Sequence, residues 1–178
     1  MKQWTIIFEH CLFSLFFMVA LFFLFFTKTH IIDGHSMQPT FSDRDRVLVR
    51  KTKTIQRFDI VTFLPENEAS TLYVKRVIGL PGDQLKVKGD QLMITQPSFV
   101  ERSDTLIKDS TTVVRVLTKE AKIKFEKLKT IPSKSYFVLG DNRGNSKDSR
   151  TIGLVQSDQI EGVVDFRYYP LNKIGFVH

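Results

Sequence analysis

Two side chains in this chain of 178 residues sit where nucleophilic chemistry could start. Ser36 lies in "IIDGHSMQPTF", a turn-like setting with Gly34 before it and Pro39 after it. A serine hydroxyl attacks a carbonyl only when a base takes its proton. His35 is adjacent, and neighbours in an extended segment point to opposite sides, so it is badly placed to help. His10 and His30 belong to an apolar run and its edge, and His178 is at the terminus. A Ser-His-Asp triad therefore lacks a good histidine. A nucleophile elbow is excluded too, because position 38 is Gln and no helix pattern follows. The other candidate base is Lys75, in "LYVKRVIG". Strand alternation puts Tyr73, Lys75 and Val77 on one face and Val74, Arg76 and Ile78 on the other. Burial disfavours an ammonium and lowers its pKa. At an ordinary pKa of about 10.4, only about one lysine in 2,500 is neutral at pH 7; moving it to about 7 takes roughly 4.6 kcal/mol. On these residues alone, plainer readings stay open: a turn serine bonded to its own backbone, and a lysine snorkelling from an edge strand.

A third stretch, "GDNRGNSKDSRTIG" from Gly140 to Gly153, crowds donors and acceptors into a tight loop after the apolar "YFVL". Asp148 can pair there with Arg150 or Arg143, and Ser146 can bond across the loop. Such a loop reads as a shaped, rigid one beside a site. No histidine or cysteine pairs at metal-ligand spacing, so neither a metal nor a cofactor is expected. "GLPGD" lacks the spacing and the Lys-Ser/Thr of a phosphate loop.

Something must position these groups. From Cys11 to Phe26 the chain reads "CLFSLFFMVALFFLFF", with Ser14 its only polar residue. Residues 5–26 as a helix would measure about 33 Å, enough to cross a bilayer core of about 30 Å. Glu9 and His10 would lie near one interface, and Trp4 fits an interfacial anchor. No small-x-small cleavage site follows, so an uncleaved anchor over residues 1–27 is expected, with a β-rich domain over 28–178. Basic residues flank the run on both sides, so charge alone does not orient it. The net charge of +7 suggests an anionic neighbour. Cys11 is the single cysteine, so no internal disulfide can form.

Beyond Phe26 the pattern becomes that of strands. "DRVLVRKT", "DIVTFL", "TLYVKRVIG", "SYFVLG" and "GVVDFRYYP" predict five, and "DQLKVKGDQLMI" predicts a hairpin around Lys-Gly-Asp-Gln. Thr118–Thr130 is the one soluble helix candidate, with Ala121, Phe125 and Leu128 on one face; Ile123 and Phe125 alternating with lysines also allow a strand. The fold class is mainly β with one N-terminal transmembrane helix.

In order and in type, these stretches resemble the boxes of the bacterial type I signal peptidases, anchor included. "SMQPT" resembles the nucleophile box, "RFDIVTF" a third box usually written with Gly where Phe58 stands, "YVKRVIGLPGD" the lysine box and "GDNRGNSKDSR" the last. The resemblance implies Ser36 as nucleophile and Lys75 as general base, with no cofactor. Ser146 would orient the amine, and Tyr73, Asp141, Arg143, Asp148 and Arg150 would support the site. It implies a catalytic domain at the outer face of the plasma membrane that removes signal peptides from exported precursors. Membrane lipid and the secretion translocon are the other partners to expect, and nucleic acid is not. Where some relatives carry a serine that helps form the oxyanion hole, this chain has Gly34, so the hole must use backbone N–H groups, among them that of Ser36. Gly144 replaces a common acidic residue. The stretch from Gln84 to Ser135 is too short for a large inserted second β-domain. A specialised relative cutting few substrates, such as pilins, and a non-catalytic assembly factor of the same fold are the alternatives. Ser36 lies within about 35 Å of Phe26 even on a fully extended chain. Ile31, Ile32, Met37 and Phe41 around it are expected to form the substrate groove or to dip into lipid.

Overall fold

A computed structural model describes residues 2–66, 68, 71–97, 111–115 and 118–177, without the side chains of 2–6 and 22–24. Helix α1 (Lys2–Phe26) runs for 25 residues and passes directly into strand β1 (Thr27–Ile31). Its end is fastened from the sheet: Lys51 N–H donates to Phe26 O at 2.9 Å and Lys51 Nζ to Phe25 O at 2.8 Å. A cation at a helix C-terminus also complements the unpaired carbonyls there. Among the described residues, no helix is long and apolar enough to cross a membrane. Trp4, expected at an interface, is one of the side chains not described.

The main sheet contains β1, β2 (Arg46–Arg50), β3 (Ile60–Phe63), β4 (Tyr73–Gly79), β8 (Ser135–Leu139), β9 (Val155–Gln156), β10 (Ile160–Tyr169) and β11 (Gly175–Phe176). Its order is β1-β2-β10-β3-β4-β8-β9, with β11 beside β10. A smaller sheet joins β5 (Gln84–Lys88), β6 (Gln91–Thr95) and β7 (Thr111–Arg115). Thus the described residues between Gln84 and Ser135 form a small second sheet and a helix rather than a large domain. Helix α2 (Lys119–Glu126) covers it, capped by the Thr118 hydroxyl accepting from Ala121 N–H. Ala121 and Phe125 face inward, which settles that segment as helix.

The five strands and the hairpin expected from sequence are all present. β1, β7, β9 and β11 were not expected. β1, "TKTHI", has no apolar alternation and is held by its register against β2, from Thr27↔Arg50 to Ile31↔Arg46. Among the described residues the core falls into three clusters. Leu85, Leu92, Ile94 and Phe125 pack under the small sheet; Phe63, Val77, Val138 and Ile160 fill the main one; Ile32, Met37, Phe41 and Val49 lie beneath the Ser36 turn.

Candidate active site

The Ser36 turn is anchored from below. Met37 and Phe41 are buried in the third core cluster, and Phe41 N–H donates to Met37 O at 2.9 Å. Gly34 has φ +82°, a conformation that favours glycine, and its N–H donates to Asp43 Oδ1 at 2.8 Å. Ile31, Ile32 and Met37 line a cavity of about 290 Å³ that also contains Ser36, Tyr73 and Lys75. Phe41 does not line it. It is fully buried and serves as the floor of the turn, correcting the expectation that it would meet substrate or lipid.

Lys75 is not on an edge. β4 pairs with β3 on one side and β8 on the other, so the side chain has no open flank to snorkel from, and Lys75 is only 4% exposed. Its Nζ lies 2.8 Å from Ser36 Oγ and 3.0 Å from Val74 O. The Tyr73 ring centre is 5.1 Å away. No carboxylate among the described residues touches the amine. Burial therefore lowers its pKa to about 8, with Asp148 opposing that from a distance. At pH 7 about one molecule in ten then holds the neutral amine, against about one in 2,500 for an ordinary lysine.

The loop after β8 closes over this pair. Gly140 permits the approach: a Cβ there would lie 2.2 Å from Ser146 Oγ and 2.5 Å from Ser36 O. Asn142 N–H donates to Ser36 O at 3.0 Å. Asp148 is fully buried, and of its two candidate partners it takes Arg150, with both guanidinium contacts under 3.0 Å. It also accepts from Gly140 N–H at 3.0 Å and caps helix α3 (Ser149–Ile152). Arg143 is exposed and makes no ion pair among the described residues. Ser146 Oγ is buried and has no hydrogen-bond partner among the described residues, Lys75 included. His35 Nδ1 faces Gln38 at 3.3 Å rather than Ser36. Among the described residues no cluster of His, Cys, Asp or Glu is suited to a metal ion.

Residues 4–169 match the family model described as signal peptidase, peptidase S26. The chain belongs to that family. A signal peptidase I of Bacillus amyloliquefaciens is 39% identical over 160 residues, 84% of this chain and 80% of the relative. One of Bacillus caldolyticus is 38% identical over 163 residues, covering 89% and 88%. A crystal structure of a signal peptidase I from Enterococcus faecalis is 36% identical, covers 62% of this chain and 96% of that one, and superposes with a TM-score of 0.42. With the family comes the activity class, a serine endopeptidase acting in signal-peptide removal.

Two linkages were missed from sequence. Arg76 turns away from Lys75 and holds Asp141 through Nε at 2.9 Å and Nη2 at 2.8 Å, while the Thr40 hydroxyl donates to Asp141 at 2.6 Å. Burial alone would raise the Asp141 pKa, but the bonds from Arg76 and Thr40 outweigh it and hold the carboxyl below its usual range. This triad ties β4, the Ser36 turn and the β8 loop together. Arg57 likewise holds the buried Asp83 at 2.8 and 2.9 Å, joining the "RFDIVTF" box to the end of "GLPGD". The only signal available was the alternation that sets Arg76 opposite Lys75.

Proposed function

We propose that the chain is a membrane-anchored signal peptidase in which Ser36 is the nucleophile and Lys75 the general base. The observation that carries this is the 2.8 Å contact between Lys75 Nζ and Ser36 Oγ, made by a buried amine with no counterion in contact among the described residues. Neutral Lys75 takes the Ser36 proton as Oγ attacks the scissile carbonyl. The ammonium so formed gives that proton to the departing amine. Neutral again, it activates the water that releases the acyl group. The developing oxyanion is received by the Ser36 N–H, which meets no acceptor among the described residues, whereas the Gly34 N–H is engaged by Asp43. Ser146, whose buried hydroxyl has no other partner among the described residues, is proposed to orient the amine during turnover. Tyr73 excludes water from it, and Asp148 with Arg150 and Asp141 with Arg76 hold the loop in place. Arg143 remains a supporting residue of that loop.

Residues 1–27 are proposed as the anchor and 28–178 as the catalytic domain on the outer face of the plasma membrane. Support comes from the composition of residues 11–26 and from the outward exposure of Phe13, Phe16 and Phe25. A substrate held in the same bilayer by its own apolar core would meet the nucleophile at raised effective concentration. Precursors bearing signal peptides and membrane lipid are the proposed partners, together with the translocon that delivers the precursors.

The test is kcat/KM on a short peptide with Ala at the cleavage position, measured from pH 5 to 11 in detergent. The neutral amine is the active form, so the rate should climb through an apparent pKa of about 8 and level off above it. Lys75→Arg should be inactive, because a guanidinium stays protonated throughout. A rising limb centred near the ordinary lysine pKa of 10.5 would remove Lys75 from the role of base.

A further inference from the structure

One carboxylate reaches two of the groups that surround Lys75. Glu68, in the connection between β3 and β4, accepts from the Tyr73 hydroxyl at 2.7 Å and pairs through its other oxygen with Lys147. The Tyr73 ring centre lies 5.1 Å from Lys75 Nζ. Lys147 follows Ser146 in the loop after β8 and, with Tyr73, lines the cavity that contains Ser36 and Lys75. Glu68 does not line that cavity, so it reaches Lys75 only through these two neighbours. Its own backbone is held in a turn: Glu68 N–H donates to Pro65 O at 3.1 Å, and Glu68 O accepts from Thr71 N–H at 3.3 Å. The bond between them holds the Glu68 carboxyl below its usual range and the Lys147 ammonium above its own. Burial, and then the Glu68 carboxylate, raise the Tyr73 phenol. All three groups therefore keep their charge states through the neutral range, and both contacts persist there.

A partly exposed ion pair contributes little to stability, and the Lys147 and Glu68 side chains are 52% and 29% exposed. What the pair supplies is geometry. The phenol is pinned at its far end, which fixes the ring against the amine. The bond to Lys147 fixes the loop one residue from the Ser146 hydroxyl, which is buried and unpartnered among the described residues. We infer that Glu68 is a positioning residue for the Lys75 amine: it sets the Tyr73 ring that keeps water away and, through Lys147, the approach of Ser146. The inference rests on the function proposed above for Ser36 and Lys75.

Four variants separate the two arms: Glu68→Gln, Glu68→Ala, Lys147→Met and Tyr73→Phe, each compared with the unaltered chain on the same Ala peptide from pH 5 to 10. A Gln carbonyl still accepts from the Tyr73 hydroxyl but makes no ion pair with Lys147. Glu68→Gln and Lys147→Met should therefore lower kcat about three- to tenfold, with KM changed less than about twofold. Their rising limb should stay near 8. Glu68→Ala and Tyr73→Phe release the ring and admit water to the amine, so their limb should move up from about 8 toward 10.5. Loss of the Glu68 charge would by itself move the limb down, and Asp148, the carboxylate that acts on Lys75 from a distance, is unaltered. An upward move therefore reports hydration. The limb position does not depend on the fraction of active protein, and unfolding midpoints should change little. A limb that stays near 8 in Glu68→Ala, or an unchanged kcat in Glu68→Gln and Lys147→Met, overturns the positioning role. So does a loss of kcat that tracks a fall in unfolding midpoint, the mark of a purely structural contact. A limb near 10.5 in the unaltered chain would instead remove Lys75 as base, and Glu68 with it.

Discussion

Lys75 and Arg76 are consecutive residues of one strand, both cationic and both largely buried, yet their surroundings differ completely. Arg76 meets a carboxylate through two guanidinium bonds and has a threonine hydroxyl on the same carboxylate. Lys75 meets a hydroxyl, a carbonyl and an aromatic face, all uncharged. The first environment fixes a charge permanently and makes a strut. The second withholds the counterion, so the charge is unstable and the proton becomes transferable. Residue type alone does not separate a strut from the proposed base; the pleat of the strand does, by sending the two side chains to opposite faces.

The largest way to break the contrast is to remove the reactive side. Ser36→Ala and Lys75→Ala should each cut precursor cleavage by about 10³-fold or more, with the double variant little worse, because groups acting as one unit are not additive. Additive losses measured on the same precursor would separate the two residues. Breaking the strut is the next effect. Asp141→Ala leaves the Arg76 guanidinium partly buried and unmatched, costing about 2–4 kcal/mol in thermal or denaturant unfolding. Replacing both members, Arg76→Met with Asp141→Leu, should recover part of that loss.

Sharpening the contrast requires stability against pH. The Lys75 pKa is lowered on folding from 10.5 to about 8, so the folded state binds fewer protons than the unfolded one between those values. Stability contributed by the neutral amine is therefore lost as pH falls from about 10.5 through about 8. Lys75→Met should stabilise the fold at pH 7 by about 2–3 kcal/mol, and by little at pH 11, while abolishing cleavage. Equal stabilisation at both pH values would mean that packing, not charge, is responsible. The smallest effect concerns Phe58, whose φ of +72° places a bulky exposed residue where the related box has Gly. Phe58→Gly should gain up to about 1 kcal/mol, read from unfolding midpoints, by relieving left-handed strain.

What the sequence disclosed follows from range. The strands around Lys75, the hairpin and the loop chemistry after β8 depend on nearby residues, and their patterns were readable. Whether Lys75 snorkels or is sealed depends on β8, some sixty residues later, covering the second edge of β4. The Asp141 partner of Arg76 is equally remote, at a separation of 65 residues. β1 was hidden because its pattern is polar and its pairing with β2 supplies the order. The choice of Arg150 over Arg143 by Asp148 depends on the helix cap that the same carboxylate makes. A cavity of about 240 Å³ between the β3–β4 connection and α3 with β9 is likewise built from segments with no shared motif.

The Lys51 clasp on the last turn of α1 changes how the apolar helix and the Ser36 turn relate. β1 begins at the residue after the helix ends, so no slack chain lies between them. For a chain held in a bilayer by α1, the nucleophile would stand at a set height, and the enzyme would work as a ruler. The bond it cuts would then be selected partly by counting residues from the lipid, before any side chain is recognised.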